Sequence, residues 1–229
     1  MRPNIYRLLE HPTIYAASQW CLLPGSSALL RRPYRQWFGD ATGCVLDVGC
    51  GPQPSTPVGH ARMVGVDINA DYIRSYANTV DASVAVLDDQ TSQRRRFGFV
   101  ASAEHLPFSD GYFDESRCFG LFHHLPATVA RAAATEMVRC VKPGGIISII
   151  DNVWPHSPWH RPAAWLIRRL DRGEWVRSEQ ELSELTSAIS GTWSQQRITY
   201  TLNGLELLIL QARKLPSPNG ELKVEPTFA

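Results

Sequence analysis

The sequence is short of several things, and each shortage removes a class of function. Its five cysteines (Cys21, Cys44, Cys50, Cys118 and Cys140) are odd in number and widely scattered. No two stand in a C-x-x-C pair, which argues against a disulfide framework and against a zinc site. Such usage suits a reducing compartment, and a cytoplasmic location is expected. No apolar run approaches the roughly 20 residues that span a bilayer. Met1 to Glu10 also lack the basic-then-apolar layout of a secretory signal. The chain therefore reads as soluble, with no membrane partner. Charge of one sign is lacking too: 23 Lys and Arg face 22 Asp and Glu, for a formal net charge of +1. A nucleic-acid binder usually carries a strong basic surplus or stripe. Here the main basic cluster, Arg94-Arg95-Arg96, is short and follows polar residues, so it reads as a solvated loop. Nucleic acid is not expected as a partner. Internal repeats and low-complexity tracts are missing as well.

What remains is an ordinary globular composition, with 44% hydrophobic and 20% charged residues over 229 positions. That suits one large domain, or a domain with a modest cap. Residues 1 to about 40 look helical and dense in aromatics, among them Tyr15, Trp20, Tyr34 and Trp37, with Pro24-Gly25 as a break. They suggest a cap, packed on the sheet edge or closing over a site. From Gly43 the pattern changes to short β-branched runs separated by helical stretches, as a parallel sheet with crossover helices requires. The runs are Cys44 to Val48, Met63 to Asp67, Gly98 to Ala101, a fourth from Phe113-Asp114 to Phe119-Gly120, and Ile146 to Ile150. A helix is expected from Thr128 to Val141, with Val129, Ala133 and Met137 on its buried face and Lys142-Pro143-Gly144-Gly145 as its stop. Helices at roughly 162 to 171 and 178 to 190 should follow. Asn203-Gly204, between Ser194–Leu202 and Leu205–Ala212, is a strong two-residue hairpin signal. The count comes to seven strands, and the tail from Leu215 reads as frayed.

The chemistry begins at Asp47-Val48-Gly49-Cys50-Gly51. A strand ends here in a glycine turn, so the backbone can approach a ligand at the carboxyl edge of the sheet. Pro54 stands where a dinucleotide fingerprint has its third glycine. Pro52, Pro54 and Pro57 also make a poor opening for a pyrophosphate-binding helix, so a ligand without phosphates fits better. Asp67 ends the second strand, where a carboxylate can accept hydrogen bonds from both ribose hydroxyls of a nucleoside.

Four segments in order complete the pattern: Val45 to Pro52, Val64 to Asp67, Ala103 to Asp110 with Phe113-Asp114 behind it, and Val141 to Gly145. Together they resemble the class I S-adenosylmethionine-dependent methyltransferases, within them the small-molecule group. The resemblance covers about Gly43 to Asp151. It implies a three-layer α/β/α, Rossmann-like fold whose seven-stranded, mostly parallel sheet has an antiparallel last strand. A helical cap would occupy 1–40, the cofactor-binding domain 41–214 and a flexible tail 215–229. It also implies S-adenosylmethionine as cofactor. Asp47, Gly49, Cys50 and Gly51 would hold its amino-acid end and Asp67 its ribose. Ile68 would pack against the adenine, with Ser102 and Ala103 along its border and Phe119 nearby. Relatives often carry aspartate at the Ser102 position; serine accepts more weakly from the adenine amino group.

Methyl transfer is an in-line displacement that the protein mainly positions. An alcohol acceptor must also lose a proton, which suits a histidine with a pKa near ~6.5. His123 and His124 follow the fourth strand and Asp151 ends the fifth, so topology brings them to one edge. His124 is the favoured base and Asp151 its orienting partner. Asp151-Asn152 also resembles the metal-binding pair of catechol-type relatives. Those need an acid after the fourth strand, where this chain has Phe122-His123-His124, so no metal is expected. Tyr15, Trp20, Trp154 and Trp159 are candidate walls for a small-molecule acceptor. Asp171-Arg172-Gly173 and Arg177 are candidates to pair with an anionic or polyhydroxylated acceptor, with a surface salt-bridge cluster the favoured reading. O-methylation of a sugar or natural product is the expected reaction. N- or C-methylation, a cofactor-binding partner subunit without turnover, and a nicotinamide-dependent enzyme are the alternatives.

Overall fold

The structure is a computed structural model that describes residues 23–38, 41–53, 61–78, 96–170, 173–186 and 191–215. Helix α1 (Ser26–Phe38) precedes strand β1 (Cys44–Val48) and strand β2 (Arg62–Asp67). Helix α2 (Ala70–Asn78), strand β3 (Arg96–Val100) and strand β4 (Phe113–Phe119) follow. A 3-10 turn (Phe122–His124) then leads through α3 (Ala127–Cys140) to β5 (Val141–Val153). Helices α4 (Pro162–Arg169) and α5 (Glu179–Thr186) precede β6 (Gly191–Thr199) and β7 (Glu206–Lys214).

The seven strands form one sheet in the order β3-β2-β1-β4-β5-β7-β6. Pairing is parallel from β3 through β5, and β7 runs antiparallel to both of its neighbours. The order reverses between β1 and β4. Open α/β sheets bind ligands at such a point, outside the carboxyl ends of the strands. Register places Asp47 beside Gly65 on one side and Arg117 on the other, with Phe119 beside Ile150.

Alternation along the strands builds two apolar faces. Leu46, Val48, Val64, Val66, Cys118, Ile147 and Ile149 pack against Ala130, Ala134, Met137 and Cys140 of α3 and Leu182 and Leu185 of α5. On the other face Ile150, Leu207 and Ile209 meet Leu30, Tyr34 and Phe38 of α1 and Ala164 of α4. Burying each such large side chain contributes about 1.5–3 kcal/mol. The second face also carries an ion pair under α1. Arg117, fully buried, reaches Glu115 at 2.5 Å and places its guanidinium 4.6 Å from the centre of the Phe38 ring.

Three local expectations need correction. Helix α3 hands over to β5 at Val141, so Lys142 to Gly145 lie inside the strand. They form a bulge between the Phe113–Val141 and Glu115–Ile146 pairs, where Gly144 takes φ 78°. A Cβ on Gly145 would lie 2.6 Å from the Asp114 carbonyl, so glycine lets the two strands close up. Next, the buried stripe of α3 is Ala130, Ala133, Ala134, Met137 and Cys140, with Val129 at its edge. Last, Asn203-Gly204 is not a two-residue hairpin turn. Tyr200 N–H still donates to the Leu205 carbonyl, leaving a four-residue loop, 201–204, stitched by Thr201 Oγ1 to Leu205 N–H at 2.8 Å. The threonine hydroxyl supplies a side-chain closure that competes with the tighter turn.

Of the expected cap, 23–38 are described: a turn at Pro24-Gly25 and a helix packed on the sheet. Residues 1–22, 79–95 and 216–229 lie outside the described residues.

Candidate functional site

Strand β1 ends in the turn of Gly49, Cys50 and Gly51. Both glycines hold positive φ, 68° and 62°. The N–H groups of Gly49 and Cys50 donate to the Val66 carbonyl at 2.7 and 3.1 Å, which ties the turn to the end of β2. A Cβ on Gly49 would come within 2.9 Å of the Leu121 side chain, so the β4 exit packs directly on this turn. A Cβ on Gly51 would meet nothing within 4 Å. Gly51 is thus required for its backbone conformation, beside open space.

Two carboxylates flank the turn, Asp47 buried and Asp67 half-buried. Asp67 accepts from Gly51 N–H at 3.1 Å and from Asn69 N–H at 2.9 Å, one bond on each oxygen. Burial raises its pKa, against the pull of these donors. Asp47 accepts from the Tyr76 hydroxyl at 3.2 Å. Burial pushes its pKa up to about 6, opposed by Arg117, the Tyr76 hydrogen bond and Arg96, and reinforced by Asp67. The Cys50 thiol is buried beside both acids and is held far above its usual range, first by burial and then by their charges. It is an inert wall rather than a nucleophile.

Ile68 is 78% exposed at the mouth of this turn. Ala101 N–H donates to the Asp67 carbonyl at 3.1 Å, which draws Ser102 and Ala103 alongside. Ser102 Oγ accepts from Glu104 N–H at 3.4 Å and so also helps form its own turn. The Phe119 ring packs edge-on against Tyr34 of α1, on the side of the sheet that α1 covers.

Past β4, the 3-10 turn sets His123 under cover and His124 in the open. The ring that meets Asp151 is that of His123: Nδ1 lies 2.5 Å from Oδ1, and the His123 N–H donates to Oδ2 at 3.0 Å. Asp151 is 2% exposed and also accepts from Asn152 N–H. The His124 ring sits 4.0 Å from that of His123. The expected pairing of Asp151 with His124 is therefore corrected to His123. The tight turn after Gly120 (φ 65°) rotates the first histidine inward.

A segment the sequence reading undervalued closes over this pair. Trp175 N–H donates to the His123 carbonyl at 2.9 Å, and a Cβ on Gly173 would run into the His123 ring. Arg177 is not a surface salt-bridge residue. It is buried, and its guanidinium donates to the carbonyls of Phe122 and Leu125, both at 2.7 Å. Burial lowers its pKa, against the charges of Asp151 and Glu181. The Trp154 indole donates to the Val176 carbonyl at 2.9 Å and stacks toward Trp165, so it anchors the same segment. Trp159 is 90% exposed. Tyr15 and Trp20 lie outside the described residues. Behind the strand end, Arg168 is buried and donates to Asn152 Oδ1 at 2.7 Å and to the Tyr200 hydroxyl at 2.9 Å.

Tyr76, Arg168 and Tyr200, which pack around these residues, were not singled out in the sequence. Only the ring of Tyr76 carried a signal, as an aromatic three residues after Ile73 on a short amphipathic helix. Among the described residues no group of three or more His, Cys, Asp or Glu could hold a metal ion. None of the described helices is long and apolar enough to cross a membrane.

Residues 46–149 match the methyltransferase domain family. A probable methyltransferase of Aspergillus luteorubrus, ltbC, is 29% identical over 126 residues, covering 50% of this chain and 42% of the relative. The ubiquinone/menaquinone biosynthesis C-methyltransferase UbiE of Chromobacterium violaceum is 45% identical over 65 residues, 27% of this chain and 25% of the relative. The chain thus spans less than half the length of these curated relatives. Among solved structures, the [4+2]-cyclase SpnF superposes with a TM-score of 0.61 at 16% identity, over 82% of this chain and 80% of the other. That likeness shows the fold alone. Fold, the order of the site segments and the domain match over residues 46–149 agree with the resemblance to the class I S-adenosylmethionine-dependent methyltransferases read from the sequence.

Proposed function

We propose that this protein transfers a methyl group from S-adenosylmethionine to an oxygen of a small molecule, a sugar or natural product, with His123 as the general base. The residues at the β1 and β2 ends suit that cofactor. The open backbone beside Gly51 admits its amino-acid end, Asp47 and Asp67 supply acceptors for an ammonium and two hydroxyls, and exposed Ile68 offers an apolar surface to adenine. When bound, S-adenosylmethionine supplies a methyl carbon on a positively charged sulfur, open to in-line displacement.

The observation that carries the reading is the double contact of Asp151 with His123, set one turn from Leu121, which packs on Gly49. With Nδ1–H donated to Asp151, Nε2 is the atom that takes a proton from an acceptor hydroxyl. Asp151 then stabilises the charged ring and fixes its orientation. Arg177 and Trp175 hold the carbonyls of the same turn and limit its motion. Four buried free cysteines, Cys44, Cys50, Cys118 and Cys140, support a reducing, cytoplasmic setting.

A second reading, methylation at carbon, is favoured by the local 45% identity to a C-methyltransferase. There His123 would remove the proton from carbon. Incubation with cofactor carrying a 13C-labelled methyl, over a panel of sugars, phenols and quinol analogues, separates them. A new methoxy resonance supports the first reading and a methyl-on-carbon resonance the second. Cofactor binding with no methyl release from any acceptor would instead mark a binding subunit without turnover.

A further inference from the structure

The cofactor turn is supported from below by a side chain that does not face the ligand. Tyr76 is fully buried on α2, the helix that begins three residues after Asp67. Its ring lies against Gly65 of β2, where an added Cβ would come 2.5 Å from Tyr76 Cε1 and 2.8 Å from Cys50 Sγ. Gly65 therefore leaves the space that lets a tyrosine reach across β2 to β1. There its hydroxyl donates to Asp47 Oδ2 at 3.2 Å, a link between residues 29 positions apart. A phenylalanine would fill the same space, so packing alone does not call for the hydroxyl.

We propose that Tyr76 is a positioning residue for the cofactor: its hydroxyl holds Asp47 ionised, with one oxygen engaged and the other left for the ammonium of the bound amino acid. This rests on the S-adenosylmethionine reading above. The groups around the carboxylate show why a donor is needed there. Burial opposes its charge most strongly, Asp67 on β2 adds to that, and the Cys50 and Cys118 thiols lie close by. Arg117 on β4, the Tyr76 hydroxyl and Arg96 on β3 act in the opposite sense. Arg117 also pairs with Glu115. Of the favourable groups, the Tyr76 hydroxyl donates a hydrogen bond to the carboxylate. Removing it moves Asp47 toward the neutral acid, which no longer attracts an ammonium.

The test is calorimetric titration with S-adenosylhomocysteine, which keeps the same ammonium. Wild type, Tyr76→Phe, Asp47→Asn and the double variant are compared at about pH 6 and about pH 8, with thermal unfolding recorded for each. Tyr76→Phe is expected to weaken binding about tenfold near pH 6, where Asp47 titrates, and no more than about threefold near pH 8. In the Asp47→Asn background the tyrosine substitution should have no further effect, since its action runs through that carboxylate. Equal weakening at both pH values with a lowered Tm would show a merely structural ring and overturn the proposal. So would unchanged affinity at both pH values. If wild type itself fails to bind, the cofactor reading falls, a result separate from any behaviour of the variant.

Discussion

Asp151 holds His123 at two points, the ring Nδ1 at 2.5 Å and the main-chain N–H at 3.0 Å, from two oxygens of one buried carboxylate. The ring contact fixes the tautomer, and the main-chain contact fixes the turn that carries the ring. Both depend on β5 reaching one residue beyond the Phe119–Ile150 pair, which brings Asp151 level with the β4 exit.

Asp151→Asn keeps the shape but offers one acceptor oxygen where the carboxylate serves three donors, the His123 ring, the His123 N–H and the Asn152 N–H. The expected result is a turnover rate lower by about 10²–10⁴-fold, the usual worth of a positioned acid–base group. Affinity for S-adenosylhomocysteine should change by less than about threefold, within the small effects of groups remote from a ligand. Initial rates with an acceptor found in the labelled-methyl screen, alongside calorimetry, check both. An unchanged rate would leave Asp151 with a purely architectural part.

Asp47 predicts an unusual dependence of stability on pH. Its pKa rises from 3.8 to about 6 on folding, chiefly through burial. Between those values the folded state binds the proton more tightly than the unfolded chain. The contribution is fully present below pH 3.8 and is lost as pH rises through about 6. Asp47→Asn removes the buried charge and should raise stability near pH 7.5 by up to about 3 kcal/mol, with no gain near pH 4. Urea unfolding at the two pH values reads this directly, and a variant less stable than wild type near pH 7.5 would contradict it.

The Glu115–Arg117 pair under α1 is fully enclosed at its arginine end. Glu115→Ala strands that guanidinium in the core and should cost about 3–5 kcal/mol. Replacing both residues by leucine should cost much less, because no buried charge is left unpaired. Chemical denaturation of the three proteins tests the difference, and equal losses would argue against it.

Gly65 and Gly51 should both lose stability on substitution by alanine, for different reasons. At Gly65 the new Cβ meets the Tyr76 ring and Cys50, so Gly65→Ala is expected to lower stability by about 1–3 kcal/mol through overpacking. At Gly51 nothing lies within 4 Å, and the penalty is the positive φ of 62°, about 1–2 kcal/mol. Gly51→Ala should nonetheless lose cofactor affinity, because its Cβ projects into the space beside the turn. Thermal melts paired with S-adenosylhomocysteine titration separate the two effects.

The sheet was legible because its strands are apolar runs ended by chemistry: Val45-Leu46 by Asp47, Val64 to Val66 by Asp67, Ile146 to Ile150 by Asp151. The placement of Asp47, Asp67 and Asp151 at strand ends followed from those runs. What was not legible depends on three-dimensional neighbours. Which histidine turns inward is decided by the 3-10 turn after Gly120, and two adjacent histidines look alike in sequence. Arg177 reads as a surface cation until its carbonyl partners, 52 and 55 residues away, are known. The four-residue loop at 201–204 arose because Thr201 closes it, a contact that the Asn-Gly signal does not carry.

A cofactor site made by the β1 and β2 ends is tested by calorimetric titration of wild type and Asp67→Ala with S-adenosylhomocysteine. Wild type should bind with a Kd on the order of micromolar and the variant at least about tenfold more weakly, as expected when a charged acceptor of ligand hydrogen bonds is removed. Absence of wild-type binding, or equal affinity in both proteins, would contradict it.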